Sequence, residues 1–351
     1  MASTPRRPTL VDVARRAGVS RALASLAING SPRVSETSRE RVLAACRELG
    51  YRPNLLARSL ASTRSPLLGV LHTDLTNPFF ARVADAVAAE ARTQGVATIL
   101  TPGLGTAEGE LAALATLQSM VPVGLVLVGP VAPAADLLAA IGTTRTVSVS
   151  RRLDEIGIPS ISLDESAGTR LAVDHLVALG HTRLAHVDGG NGVSTQERRL
   201  GVEQAAAAHS GVTLEVLPGA FTVEAGYAAV TALIESHRSA ARAAPLPTGI
   251  VAGNDLQASG IVTALLEAGL RVPGDVSVVG YDDAEIVTGG QIGLTTVHQP
   301  VADMGREAVR AVLGEDAAPS RELAPSLVVR RSTGPRSGPA AGPAAGPTPA
   351  P

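Results

Sequence analysis

A chain of 351 residues with 45% hydrophobic content is long enough for a small module plus a larger α/β body, and its single cysteine, Cys46, excludes an internal disulfide. All thirty basic residues are arginine, and 32 acidic residues bring the formal charge to −2, which at face value argues against a nucleic-acid partner. The distribution reverses that argument: through Arg64 twelve arginines stand against four acidic residues, a balance of +8, whereas the remainder carries −10.

A basic head on an acidic body points to a head that meets phosphate. The opening "MASTPRRPTLVDVARR" lacks the apolar stretch of a secretory signal, and no apolar run is long enough to span a bilayer. The expected location is therefore the cytoplasm, with no membrane partner. "TLVDVARRAGVSRALASLAING" then has the form of a helix-turn-helix. Thr9 can cap a first helix with Leu10, Val13 and Ala14 on its apolar face. Gly18 and Val19 make the turn, and Ser20 can cap a second helix that stops at Asn29-Gly30. Ala24, Ala27 and Ile28 face inward, which leaves Arg21, Ala22 and Ser25 at the end that enters a major groove. A third helix, "SETSRERVLAACRELG", buries Val42, Ala45, Cys46 and Leu49. Spacing alone leaves an ordinary three-helix cap with solvated arginines open.

The next stretch, "YRPNLLARSLA" at 51 to 61, carries three leucines that a solvated linker has no use for. From Pro66 short apolar runs ("LLGVL", "VATIL", "GLVLVG", "TVSVS", "RLAHVDG", "GIVAGND", "VSVVGYDD") alternate with amphipathic helical patterns. That alternation predicts parallel sheets covered on both faces, in two doubly wound lobes because the series restarts near "SISLDESAGTRLAVDHLVALGH". Ligands of such sheets sit beyond the carboxyl ends of the strands, so the polar residues that follow each apolar run are candidates. The Gly/Pro/Ala-rich end cannot bury a core and reads as a disordered tail.

Taken in order, "TLVDVARRAGVS", "RVSETSRERVLAACRELGYRPNLLARSLA", "GVLHTDLTNPFFARV", "HLVALGHTRLAHVDG", "GNDLQASG", "RVPGDVSVVGYDDAE" and "LTTVHQP" resemble the LacI-type family, the lactose, galactose and purine repressors, from Thr9 to about Thr333. The resemblance implies an all-α helix-turn-helix head at 1–50 and a hinge at 51–65. A two-lobed body like the periplasmic binding proteins follows at 66–333, with an N-lobe at 66–163 plus 299–326 and a C-lobe at 164–296 plus 327–333. A tail takes up 334–351. In this family the hinge becomes a helix only when two copies meet over the operator, and Leu60 matches the leucine that wedges into the minor groove. The implied DNA contacts are Thr9, Ser20, Arg21, Ala22, Ser25, Asn29, Asn54, Ala57, Arg58 and Leu60. The implied effector contacts are Asp74, Phe79, Arg151, Arg198, Phe221, Asn254 and Asp282, a set suited to a sugar or a purine. Asp255 either caps the helix after its strand or touches ligand, and His181 belongs to a structural turn.

Two departures matter. Leu26 follows Ser25 where relatives often have an arginine, so base readout leans on Arg21. Ser150 stands before Arg151 where many relatives have an aspartate; its loss removes a common sugar-hydroxyl contact and opens Arg151 to a more anionic ligand. A solute-binding protein of a transporter requires an export signal and has no use for the basic head. An enzyme lacks support too: there is no phosphate-binding lysine loop, no Gly-x-Ser-x-Gly elbow and no metal cluster. The expected protein is a repressor that binds a pseudo-palindromic operator as a homodimer without cofactor or metal. A small effector, a sugar in the first instance, controls it, with a corepressor-dependent purine type as the alternative.

Overall fold

The computed structural model describes residues 8–28, 31–51, 67–238, 245–288, 293–314 and 319–336, with the side chains of 286 and 288 excepted. The chain divides into two compact units, Met1–Pro66 and Leu67–Pro351.

In the first unit, helices α1 (Leu10–Ala17), α2 (Arg21–Ile28) and α3 (Glu36–Leu49) form a three-helix bundle. Thr9 and Asp12 make a reciprocal capping box, with Thr9 N–H donating to Asp12 Oδ2 at 2.9 Å and Asp12 N–H to Thr9 Oγ1 at 3.4 Å. Gly18 ends α1 at φ 64°, a conformation that costs a side-chain-bearing residue more, and the chain turns there into α2. The core is small: Val13, Ala14, Ala17, Ala24, Ala27, Val34, Val42 and Ala45 are buried, with Leu10, Cys46 and Leu49 packed at its edge. Val13 and Val42 are fully buried, each stabilising by about 1.5–3 kcal/mol. Tyr51, expected to open the hinge, packs against this core instead, its N–H bonded to Cys46 O at 2.9 Å.

The second unit holds two six-stranded sheets. Strands β1 (Leu67–His72), β2 (Ala97–Pro102), β3 (Gly124–Val128), β4 (Thr146–Val149), β5 (Ser160–Leu163) and β11 (Arg321–Leu323) lie in the order β11-β5-β4-β3-β1-β2, all parallel. Strands β6 (Arg183–Val187), β7 (Thr213–Leu217), β8 (Gly249–Ala252), β9 (Ser277–Asp282), β10 (Thr295–His298) and β12 (Ser326–Val328) follow the order β12-β10-β9-β8-β6-β7, with only β12 antiparallel. Every residue of β1, β3 and β9 is buried, as sheets covered on both faces require.

Helices α4 (Pro78–Thr93), α5 (Ala107–Ser119) and α6 (Ala134–Ile141) belong to the first lobe, and α7 (Glu165–Ala178), α8 (Thr195–Ala207), α9 (Val223–Arg238), α10 (Asp255–Glu267) and α11 (Glu285–Thr288) to the second. Helix α12 (Val301–Leu313) returns to pack on α4 and β4. The chain thus crosses between lobes three times, after Leu163, after His298 and between Leu323 and Ser326. Each crossing leaves one lobe's core for the other's, which fixes the cleft between them.

The tail was expected to begin at 334, but Gly334 and Arg336 are still tied to the second lobe. Gly334 O accepts from Ser277 Oγ at 3.2 Å and lies 3.1 Å from His181 Nε2, while Arg336 N–H donates to Leu179 O. The composition of the segment is tail-like, but these backbone groups find partners in the loop around His181, the structural turn anticipated for it. No helix among the described residues is long and apolar enough to cross a membrane.

Candidate functional site

The first site is the exposed end of α2. Ser20 caps it, accepting from Leu23 N–H at 3.1 Å. Arg21 and Ala22 are exposed, Ser25 is half-buried, and Leu26 is 41% exposed. An exposed leucine on this surface has a physical use, because apolar groups read the thymine methyl in the major groove. Thr9 is placed differently from a free DNA donor: its N–H and its hydroxyl both bond Asp12, the hydroxyl at 2.7 Å, so it shapes the helix start. Asn29, Asn54, Ala57, Arg58 and Leu60 lie outside the described residues.

The second site is the floor of the cleft in the second lobe, where the carboxyl ends of β6, β8 and β9 meet. Arg198, on the first turn of α8, is buried and gripped on several sides. Its Nε donates to Glu165 Oε2 at 3.0 Å, Nη1 to Gly253 O at 2.7 Å, and Nη2 stands 3.7 Å from Asp282 Oδ1. The guanidinium also lies 3.8 Å above the Tyr281 ring and 5.4 Å from that of Phe221. Burial alone opposes its charge, but Glu165 and Asp282 outweigh that and hold its pKa above the ordinary value.

The Phe221 ring is nested on glycines. A Cβ at Gly189, Gly192 or Gly253 would stand 2.2 Å, 2.4 Å or 2.7 Å from its atoms, so only backbone fits beneath the ring. Asn254 N-caps α10, accepting from Gln257 N–H at 2.9 Å, and its Nδ2 donates to Phe221 O at 3.4 Å. Asp282 accepts from Gln299 Nε2 at 2.7 Å, and burial pushes its carboxyl up to about 7 against the pull of Arg198 and Gln299. Four of the seven expected effector residues, Arg198, Phe221, Asn254 and Asp282, therefore converge.

The other three sit on the first lobe. Arg151 lines a cavity of about 300 Å³ between the lobes, together with Pro130, Ser150, Gly192, Ser194 and Thr195. Asp74 turns back into its own loop, accepting from Thr76 N–H at 2.7 Å and Thr76 Oγ1 at 2.6 Å. Phe79 corrects the expectation: it is 3% exposed, inside a hydrophobic cluster with Val83, Val87 and Ala91. The reason is helical spacing, since 79, 83 and 87 form one stripe of α4. Phe80 is the half-exposed ring, lying over Gly129 at the end of β3.

Asp255 proves to be neither cap nor exposed ligand contact. Its buried carboxylate accepts from Thr296 Oγ1 at 2.6 Å and Ala284 N–H at 2.7 Å, tying α10 to β10 and the β9–α11 loop. Burial, followed by the nearby Asp282, pushes its pKa well up. Glu165, Gln257 and Glu110 were not anticipated at all. Gln257 Nε2 donates to Asp188 O at 2.8 Å and Ala220 O at 2.9 Å, and its Oε1 accepts from Gly253 N–H, so one buried amide joins three cleft loops. Glu110 does the same in the first lobe, accepting from Val131 N–H and Ala132 N–H. The motif "NDLQ" contained the glutamine; nothing in one sequence marks it as a loop tie.

Both regions of the chain have counterparts in known proteins. Residues 9–54 match the bacterial regulatory proteins of the lacI family, and residues 173–333 match the periplasmic binding protein-like domain. The chain is 36% identical over 346 residues to the HTH-type transcriptional regulator reg1 of Streptomyces lividans, which covers 92% of this chain and 96% of that one. Among solved structures it is similar to the lac repressor dimer bound to operator and the anti-inducer ONPF, with a TM-score of 0.81, 30% identity and coverage of 94% and 100%. A complex of the transcriptional regulator CelR with cellobiose is also similar, at a TM-score of 0.65 and 30% identity, with coverage of 93% and 100%.

Proposed function

The chain belongs to the lacI family of bacterial regulatory proteins, and from that premise we propose that it is a cytoplasmic, homodimeric repressor whose operator binding is governed by a sugar in the interlobe cleft. The observation that carries this reading is the convergence of Arg198, Phe221, Asn254 and Asp282 beyond the strand ends, in a chain whose head is a capped helix-turn-helix. An aromatic face, a buried amide, a carboxylate and a guanidinium are the groups that recognise a ring carrying hydroxyls.

In the proposed mechanism two heads are held at half-site spacing, and Arg21 with Ser25 and Leu26 reads base edges from each α2. Leu60 supplies the wedge at the centre of the site. A sugar that closes the lobes repositions the first lobe, to which the hinge leads, and so changes the affinity of the heads. The coupling is reciprocal: operator must alter sugar affinity by the same factor. The CelR structure supports the choice of a sugar, because that relative was solved with cellobiose.

The experiment is a fluorescence-anisotropy titration of operator duplex with the full chain, repeated with individual mono- and disaccharides. A shift in operator affinity of five-fold or more with one sugar is expected. A response to purines and to no sugar would replace the sugar with the purine alternative.

A further inference from the structure

The wall of the interlobe cavity carries two hydroxyl groups with nothing to bond. Ser150 Oγ, just past β4, and Thr195 Oγ1, at the start of α8, are buried and lack hydrogen-bond partners among the described residues. Both residues line the 300 Å³ cavity, one from each lobe. Thr195 is only 8% exposed. A buried hydroxyl without a partner is destabilising, and two such hydroxyls on residues that line one cavity mark a place for ligand atoms.

The surroundings specify which atoms. Helix α8 begins at this cavity with Ser194 in the left-handed region (φ 63°) and no side-chain cap. Thr195 N–H bonds Gly192 O at 3.3 Å, while the N–H groups of Gln196 and Glu197 have no acceptor within the helix and lie at the positive end of its dipole. Across from them, Arg151 donates to Pro130 O at 3.1 Å and Ala132 O at 2.5 Å. Those acceptors are neutral, so the guanidinium keeps its charge beside the cavity while Glu110 fixes the loop that supplies them. Arg152 also lines the cavity but pairs with Glu322. The acidic side chain on the wall is that of Glu197, which is exposed and screened by water.

We propose that this end of the cleft is a subsite for an anionic oxygen group, a carboxylate or a phosphate. The effector is then an acidic or phosphorylated sugar, with its ring toward Phe221 and its charge between Ser150, Thr195, Arg151 and the α8 N-terminus. This rests on the reading that the cleft takes a sugar. Ser150 is the specificity-determining position, because an aspartate there would set a carboxylate against the anion. The substitution is compatible with the backbone: Ser150 sits at φ 75°, a region that aspartate visits more readily than most residues.

The test is the thermal transition of the full chain with inorganic phosphate, glucose, glucuronate and glucose 6-phosphate, with ionic strength held constant by sodium chloride. Phosphate should raise the transition by about 2–4 °C per tenfold once above its Kd. Ser150→Asp should abolish that rise, and Thr195→Val should weaken it if Ser150→Asp folds poorly. Glucuronate and glucose 6-phosphate then distinguish a carboxylate from a phosphate ligand. Phosphate stabilisation no greater than that of chloride overturns the subsite, and glucose binding in that case leaves the sugar reading standing. Equal phosphate stabilisation of wild type and both variants places the anion elsewhere and overturns it as well.

Discussion

Arg198 and Glu165 are paired at two points on the cleft floor, Nε to Oε2 at 3.0 Å and Nη2 to Oε1 at 3.4 Å, with both side chains almost fully buried. Glu165 opens α7 immediately after the chain leaves the first lobe, so the pair ties the site to a crossing segment. A ligand that touches Arg198 therefore acts on a group already linked to the interlobe connection.

Replacing Arg198 by alanine leaves two buried carboxylates, Glu165 and Asp282, without their cation. The stability loss should be about 3–5 kcal/mol, the usual result of stranding a buried charge. The metabolite response should disappear while the head still binds operator. Urea denaturation and anisotropy check the two parts separately; a normal response in the variant would show that the cleft floor is misplaced.

Acidity provides a second check. The carboxyl of Asp282 is pushed up from 3.8 to about 7, mainly by burial. The folded state then holds this proton more tightly than the unfolded chain, so the Asp282 contribution is full below about pH 4 and is lost as pH rises towards 7. His186 acts with the opposite sign: burial lowers it from 6.5 to about 4, and its contribution is lost as pH falls through that window. Asp282→Asn removes the first effect and keeps the second. Wild-type stability relative to the variant should therefore decline between about pH 5 and pH 7 in urea titrations. A constant difference across that range would mean that Asp282 is ionised throughout.

Gly189→Ala tests the seat of the aromatic ring. The added methyl would lie 2.2 Å from Phe221 Cζ and 2.4 Å from Thr195 Oγ1, so the ring must move. Overpacking of this kind costs roughly 1–3 kcal/mol, and effector affinity should fall by about tenfold or more if stacking on Phe221 contributes about 1.4 kcal/mol. Isothermal titration with the identified effector measures it; unchanged affinity would remove Phe221 from the ligand.

At the DNA end, Arg21→Ala should cost about 1–3 kcal/mol and relax preference at one base pair of each half-site. Leu60→Ala should lower specific affinity while sparing the weak, salt-sensitive mode that phosphate contacts provide. Competition gel shifts at two salt concentrations separate these modes. Equal specific affinity in Leu60→Ala would end the wedge proposal.

The two-lobed architecture was legible because strand and helix periods alternate cleanly from Pro66 onward, and the head because Thr9, Gly18, Ser20 and Gly50 punctuate it. The floor of the cleft was legible for residues that family motifs mark, such as Arg198 and Asp282. What escaped was set by three-dimensional closure. Glu165, Gln257 and Glu110 act on loops 33, 37 to 69 and 21 to 37 residues away in sequence, distances at which no local pattern operates. Phe79 was a different kind of error, since the stripe through Val83 and Val87 already placed it inward and left the neighbouring Phe80 half-exposed over Gly129.

The most direct measurement of the central claim is selection of bound duplexes from a random DNA pool by the purified full chain at moderate salt, without and with pooled sugars and their acidic and phosphorylated forms. The expected result is a pseudo-palindrome with half-sites about one helical turn apart, whose recovery changes when the effector is present. Enrichment no greater than that of the Arg21→Ala variant under either condition would contradict a metabolite-controlled, sequence-reading head.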